Sequence, residues 1–335
     1  MSKQIRMIDI ANKLNISLNA VSIALNDKEG VSHNLRIQIL EAATEMNYPL
    51  KKLNVKKTLK NKTLVVLIEE SKAKDKFYYL DLLKHLKKDA QLFGYRILVE
   101  YYNLNHFDVP KYISEHHVAG VIILGKINDE VIYSLRLYIK EIVCVNHSIP
   151  YFNIDTIITN DFLGGYISCD HLIKKGCKSI GFVGEIESSK NFKQRYQGYR
   201  QCIHNHFQIK NYEIVSLTKG IENAVLNDDY RYIQKMLLTY RKMPDAFVCV
   251  NDRNAAIVIK ALQYNGYKIP KDIKVIGFDN MDFCESMRPS LTSLEVSRGQ
   301  VAKKVIRRIH EMIHENTIPE TIMLSPQIIE RDSTQ

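Results

Sequence analysis

At 335 residues, with 45% hydrophobic and 25% charged side chains, the chain is about twice the usual single-domain length and average in composition for a globular protein. That excludes a disordered or fibrous chain, and apolar runs of about five residues (Leu64 to Ile68, Gly120 to Leu124) exclude a membrane span, which needs about 20. The net charge of +10 is uneven: residues 1–62 carry eleven Lys/Arg against five acids, which leaves +4 for the rest. Six of those lysines fall between Lys51 and Lys62 with no acid among them, so an anionic partner is expected for the front segment alone. The start leads into no apolar stretch or cleavage site, so no signal peptide is expected and the cytoplasm is the expected compartment. Six cysteines (144, 169, 177, 202, 249, 284) never approach C-x-x-C spacing and read as buried thiols of a reducing compartment, with no zinc site.

From Met7 to Leu14, apolar residues recur at helical spacing, and Asn15-Ile16 interrupts them. Ser17 can cap a second short helix, about Leu18 to Leu25, with Val21, Ala24 and Leu25 inward and Leu18, Asn19, Ser22 and Ile23 elsewhere. Ser32 can cap a third, about His33 to Asn47. Two short helices joined by a tight turn and followed by a third have helix-turn-helix geometry, and the lysine tail beside a polar outer face favours DNA.

The body then alternates apolar strands with amphipathic helices. Strands are expected at Thr63 to Ile68, Arg96 to Glu100, Gly120 to Leu124, Ile142 to Val145, Thr156 to Thr159, Ser179 to Val183, Tyr212 to Ser216, Ala246 to Val250 and Lys274 to Phe278. Between them, helices are expected at Tyr78 to Phe93, near Pro110, and at Asp129 to Tyr138, Leu163 to Lys175, Lys193 to His206, Asp228 to Thr239 and Arg253 to Asn265. Continuous apolar strands imply parallel sheets covered on both faces, and this many strands suit two doubly wound α/β lobes. Ligands of such folds sit at the carboxyl ends of strands, here the cleft between lobes.

Two strand ends present polar groups there: Asn251 after one, Asp279 after another. Arg195, near a helix start, could grip a diol or carboxylate in a planar fork, and an Asp–Arg pair suits a polyhydroxyl ligand. Equally, Asp279 could cap a loop and Arg195 could make a structural ion pair. Enzyme motifs are missing: there is no G-x-S-x-G, phosphate loop, G-x-G-x-x-G or H-E-x-x-H. His116-His117 and His204/His206 lack partners at ligand spacing and read as surface histidines.

In its front segment the chain resembles the lac-repressor/galactose-repressor family of bacterial regulators. The matching residues are Ile8-Asp9-Ile10-Ala11, Ile16 through Asn26, Gly30-Val31-Ser32, and Ile39 through Ala43 to Asn47-Tyr48. The likeness continues through Asn160-Asp161, Gly164-Gly165, His171 through Gly176, Ile180 through Gly184, Arg195 through Tyr199, Val250-Asn251-Asp252, Val275 through Asn280, Pro289 through Thr292 and Arg331 through Thr334. It implies a helix-turn-helix head at 1–48, a basic hinge at 49–62 and a periplasmic-binding-protein-like core at 63–335 whose chain crosses between lobes three times. Lobe one would be about 63–160 with 292–322, and lobe two about 161–291 with 323–335. It also implies a homodimeric repressor of carbohydrate-utilisation genes that binds operator DNA and a small sugar-like effector, needs no cofactor and touches no membrane.

The same resemblance carries roles to residues. Arg195 and Asp279 match effector-pocket positions, Asn251 and Asn146 stand at strand ends, and Tyr78 and Tyr79 match an aromatic pair that stacks on the effector, although their spacing fits a core equally. Leu18 and Asn19 would read bases. Ile23 stands where the family has arginine, so it offers only apolar contact and the operator should differ at that base. Ser17, Ser22, Asn26, Ser32 and Tyr48 match phosphate-contact positions. The hinge departs from the family pattern, with Leu59 or Leu53 as the residue that could wedge into the minor groove. Alternatives are a regulator of the same build controlled by a purine or a phosphoprotein partner, a solute-binding transport protein, and a sugar-modifying enzyme.

Overall fold

Where aliphatic residues run unbroken the chain is extended, and where they recur every three or four it is helical. The computed structural model describes residues 5–25, 30–31, 35, 38–39, 42–43, 46, 48, 62–70, 76–147, 152–207, 216–217 and 219–335. The chain divides into two compact units, Met1–Asn61 and Lys62–Gln335.

In the first unit, α1 (Met7–Leu14) ends at Asn15, which adopts the left-handed conformation (φ 54°) that asparagine tolerates. The Asp9 carboxylate accepts the Arg6 backbone N–H at 2.7 Å, satisfying a donor at the helix start. The α2 helix (Leu18–Leu25) is capped by Ser17, whose hydroxyl accepts the Ala20 N–H at 3.1 Å. Ile10, Ala11, Val21 and Ala24 bury against Ile39, Ala42 and Ala43, which are themselves helical. Leu35 and Gln38 are helical too, while most other residues of the expected third helix, and all of the expected 49–62 hinge except Lys62, lie outside the described residues.

The second unit begins β1 (Thr63–Glu69), α3 (Lys76–Leu92), β2 (Arg96–Tyr102), α4 (Lys111–Ser114), β3 (Gly120–Leu124), α5 (Asp129–Arg136), β4 (Ile142–Val145) and β5 (Asp155–Thr159). It continues α6 (Asp161–Lys174), β6 (Ile180–Val183), α7 (Lys190–His206), β7 (Ser216–Leu217), α8 (Ile221–Leu226), α9 (Tyr230–Leu237), β8 (Ala246–Cys249), α10 (Asp252–Tyr264) and β9 (Lys274–Phe278). It closes with α11 (Phe283–Ser286), β10 (Thr292–Glu295), α12 (Arg298–His314), β11 (Thr321–Leu324) and β12 (Gln327–Ile329). The helix expected over Asp228 to Thr239 is α9, capped by Asp229, which accepts the Tyr232 N–H at 3.1 Å, and the short α8 before it was not expected. Most of the strand expected at Tyr212 to Ser216 falls outside the described residues.

These strands form two sheets of six, ordered β11-β5-β4-β3-β1-β2 and β12-β10-β9-β8-β6-β7. Every pairing is parallel except β10 with β12. Within each lobe the first five strands take the same 2-1-3-4-5 order of a doubly wound sheet. Alternate β1 residues serve opposite faces. Leu64, Val66 and Ile68 pack with Leu82 and Leu86 of α3 and Val305 of α12, while Val65 and Leu67 pack with Ile113, Ile132 and Leu135.

The expected lobe assignment needs one correction. Strand β10 belongs to the sheet of lobe two, not lobe one: Thr292 pairs with Ile276 and Leu294 with Phe278 of β9. Its polar side chains are anchored there, with the Thr292 hydroxyl accepting the Arg331 N–H at 2.8 Å and the Ser293 hydroxyl donating to Asp252. The chain therefore crosses at Val296-Ser297, and α12 and all of β11 complete lobe one. Sheet membership gives three crossings, after β5, β10 and β11.

In lobe two, α6 and α7 meet backbone to backbone. A methyl on Gly165 would stand 1.8 Å from the Arg195 carbonyl oxygen, and one on Gly198 would stand 1.9 Å from the Phe162 carbonyl oxygen. Gly165→Ala must therefore part the helices, and it is expected to lower stability by at least the roughly 1–3 kcal/mol that overpacking costs. A wild-type thermal midpoint in that variant would contradict the packing.

Candidate functional site

At the carboxyl ends of the lobe-two strands, the Arg195 side chain is 9% exposed, and two of its three nitrogens are held by the protein. Its Nε donates to Asp161 Oδ1 at 2.8 Å, its Nη1 donates to the Val250 carbonyl, and its guanidinium lies 3.5 Å from the centre of the Phe278 ring. Only Nη2 points to Asp279, 3.6 Å from Oδ1, too long for a strong hydrogen bond and suited to a ligand atom sharing both groups. Asp279 follows β9 in a strained conformation (φ 102°) and its side chain is 28% exposed. The strain is held by its own N–H donating to the Leu294 carbonyl at 2.8 Å.

Arg195 was expected to be ligand-facing, and its partner Asp161 was not foreseen as part of the site. Burial pushes the Asp161 carboxyl up in pKa, against the charge and hydrogen bond of Arg195 that pull it down. Its sequence signals were the Asn160-Asp161 match and its position: Asp161 opens α6 directly after the cap Asn160, whose side chain accepts the Leu163 N–H at 3.0 Å.

A second arginine, Arg298, was missed because residues 298–314 had not been read as a helix. From the first turn of α12 its Nε donates to Asp81 on α3, and its other nitrogens donate to the backbone carbonyls of Asp279 (2.9 Å) and Asn280 (3.4 Å). It thus ties lobe one to the turn that carries Asp279. His85, one turn along α3, lies 3.8 Å from the other Asp81 oxygen.

The remaining expected effector residues are largely occupied by structure. Asn251 Oδ1 caps α10, accepting the Asn254 N–H at 2.9 Å. Asn146, in the left-handed region (φ 55°), accepts from the Thr159 N–H (3.2 Å) and hydroxyl (3.3 Å), joining β4 to β5. Tyr79 is half-buried and packs on the lobe-one core, the alternative its spacing left open. Tyr78 lies on α3, and its side chain is outside the described residues.

Beneath the site, Asp252 is completely buried. It accepts from the Met281 N–H at 2.8 Å and from the Ser293 hydroxyl, and burial pushes its pKa up to about 6 despite these donors. The folded chain then holds this proton more tightly than the unfolded chain, whose Asp titrates near about 3.9. Its contribution to stability is greatest below about pH 4 and declines as pH rises towards about 6. Asp252→Asn is expected to abolish that slope, whatever its effect on absolute stability, in urea midpoints measured from pH 4 to 7.

A concavity of about 580 Å³ lies away from this site. It opens on the outer face of α7, between Phe162, Ile186, Tyr196 and Arg200, and contains none of the residues above. Its wide mouth makes it a surface groove rather than an enclosing pocket.

On the head, α2 exposes Leu18 (47%) and Asn19, while Ser22 and Ile23 are half-buried. Ile23 lies against the turn at Gly30, its Cδ1 3.4 Å from where a Gly30 Cβ would stand. Ser17 spends its hydroxyl on capping, and Tyr48 packs on the head core. Asn26, Ser32 and Leu59 lie outside the described residues.

A helix-turn-helix head followed by two doubly wound lobes, crossed three times by the chain, defines a binding core of the periplasmic-binding-protein type joined to a DNA-binding unit. Residues 169–334 match the periplasmic binding protein-like domain family. The NTD biosynthesis operon regulator NtdR of Bacillus subtilis (strain 168) is 28% identical, covering 97% of this chain and 98% of that protein. The transcriptional regulator GalR of Streptococcus thermophilus is 26% identical over 98% and 99%. Among solved structures, a CelR–cellobiose complex superposes with a TM-score of 0.67 at 17% identity, covering 98% of this chain and 99% of that one. The lac repressor dimer bound to operator and an anti-inducer gives 0.66 at 18% identity over 99% of both chains, and at such identities the likeness speaks to the fold. Over nearly its whole length the chain is similar to regulators of the lac-repressor/galactose-repressor type. It is a DNA-binding transcriptional regulator controlled by a small-molecule effector, not an enzyme. No helix among the described residues is long and apolar enough to cross a membrane.

Proposed function

We propose that the chain is a cytoplasmic homodimeric repressor of carbohydrate-utilisation genes whose effector is a sugar or sugar derivative bound between the lobes. The observation that carries the reading is the Arg195–Asp279 pair: a donor held rigid by Asp161 and Val250 faces, at 3.6 Å, a carboxylate that is one-quarter exposed. A hydroxyl seated between them donates to the carboxylate and accepts from the guanidinium, which suits adjacent hydroxyls of a sugar. The cellobiose bound by the CelR neighbour supports this class of ligand. Asn251 retains its Nδ2 donors after capping, and it is assigned a secondary role with Asn146, Tyr78 and Tyr79.

Arg298 supplies the link to lobe position. It holds the Asp279 turn by its backbone and lobe one through Asp81, so a ligand that contacts Asp279 acts on a group already tied across the lobes. Effector and operator are coupled if the ligand favours one lobe arrangement over the other. In the head, exposed Leu18 and Asn19 read bases, with Asn19 suited to adenine, and Ile23 gives apolar contact at most. Ser17, Ser22, Asn26, Ser32 and Tyr48 set register on phosphates, and Leu59 of the basic hinge is the candidate wedge.

The test is a thermal-shift screen of the full chain against sugars, sugar phosphates and purines, followed by binding to promoter fragments with each hit. A sugar that raises the midpoint and alters DNA affinity supports the reading. A purine as sole hit overturns the sugar assignment, and a chain without salt-dependent preference for any promoter fragment overturns the operator assignment.

A further inference from the structure

His206 was read as a surface histidine without partners at ligand spacing, and the fold gives it partners from another helix. Cys202 and His206 stand four residues apart on α7, one turn up the same face. The parallel helix α6 brings Asp170 opposite them. His206 Nε2 lies 3.2 Å from Asp170 Oδ1, and one ligand atom from each of Asp170, Cys202 and His206 lies within 4.8 Å of the others. The two glycine contacts that seat α6 against α7 fix this separation, so the three groups are presented by rigid elements rather than by a loop.

We propose that Asp170, Cys202 and His206 form a binding site for a zinc-class divalent cation. Thiolate, imidazole and carboxylate together suit zinc, a borderline-soft ion that takes sulfur, nitrogen and oxygen ligands at about 2.0–2.3 Å. The 3.2 Å between His206 and Asp170 is already that of two ligands on one tetrahedral centre, and a small side-chain rotation brings the sulfur in. The environment is graded. Cys202 is fully buried, Asp170 half-buried and His206 exposed, which leaves an entry path and a fourth position on the solvent side. Cys169, also buried, hydrogen-bonds with Cys202 on the inner side. Lys174 binds the other Asp170 oxygen at 2.6 Å, orienting the carboxylate while its ammonium disfavours the cation. Binding transfers the Cys202 thiol proton to solvent, so affinity rises with pH. Arg195 lies on the same helix two turns before Cys202, so an ion clamping α6 to α7 stiffens the support of the effector site.

The experiment is zinc equilibrium dialysis of the chelator-stripped full chain, with cobalt(II) as a spectroscopic stand-in, on wild type, Cys202→Ser, His206→Ala and, as a control in the other lobe, His310→Ala on α12. The proposal expects one zinc per chain, a thiolate-to-cobalt charge-transfer band, and a zinc-dependent rise in melting temperature in the wild type and in His310→Ala. It expects Cys202→Ser and His206→Ala to lose more than the roughly 10–100-fold in affinity that removing a residue merely hydrogen-bonded to a ligand costs. His206 is at the surface, so His206→Ala tests the site even if Cys202→Ser fails to fold. Equal zinc retention by wild type and His206→Ala, or a cobalt spectrum without the thiolate band, overturns the proposal. Neither outcome bears on the effector reading, which does not involve these residues.

Discussion

Asp279→Asn is expected to leave the head's DNA affinity and the melting temperature near those of the wild type while weakening effector binding by about 10- to 150-fold. The size follows from the roughly 1.5–3 kcal/mol carried by a hydrogen bond to a charged group. The variant tolerates the change because Asp279 is partly exposed and Arg195 Nη2 is 3.6 Å away on a guanidinium held by other partners. The strained turn is kept by backbone bonds, from the Asp279 N–H to Leu294 and from Arg298 to the Asp279 carbonyl, which the substitution does not touch. Isothermal titration with an identified effector, beside operator binding with and without it, measures both halves. Full effector affinity in the variant would remove Asp279 from the site.

Arg195→Ala should behave differently, losing both effector response and stability. Without the guanidinium, Asp161 is left 2% exposed with its charge unmatched, and removing one partner of a buried pair costs about 3–5 kcal/mol. The Val250 carbonyl and the face of Phe278 lose their partner as well. At about 2–4 °C per kcal/mol for a unit of this size, the midpoint should fall by roughly 10 °C. The loss should shrink as pH falls, because burial already raises the Asp161 pKa and the orphaned carboxyl escapes its penalty by taking a proton. Adding Asp161→Asn should restore part of the stability without restoring effector response. An Arg195→Ala chain that melts with the wild type would show that the buried pair does not hold α6 to α7.

The two arginines differ in how visible they were. Arg195 sits in a run, Arg195-Tyr196-Gln197-Gly198-Tyr199, that carries a family pattern, so its importance was legible while its partners were not. Arg298 opens a helix that had gone unread, although Ser297 caps it by accepting the Gln300 N–H at 3.4 Å and its inward residues recur at helical spacing. Its role depends on Asp81, 217 residues earlier, and on two carbonyls whose direction is set by the positive φ of Asp279 and Asn280. Asn251 shows the reverse. Its place after β8 suggested a ligand contact, and the same place made it the cap of α10.

Periodicity and apolar runs in the amino-acid order determined most strands as far as β9, most helices, the helix-turn-helix head and the alternation that forces doubly wound lobes, because those signals are local and burial acts on each segment through its own repeat. Tertiary structure alone decided that β10 joins lobe two, that Asp161 and Arg298 brace the effector residues, and that Asp170 faces Cys202 and His206. Each of these depends on which distant segments meet. That is fixed by sheet order and by two glycines that let helices touch, and neither leaves a mark at the positions brought together.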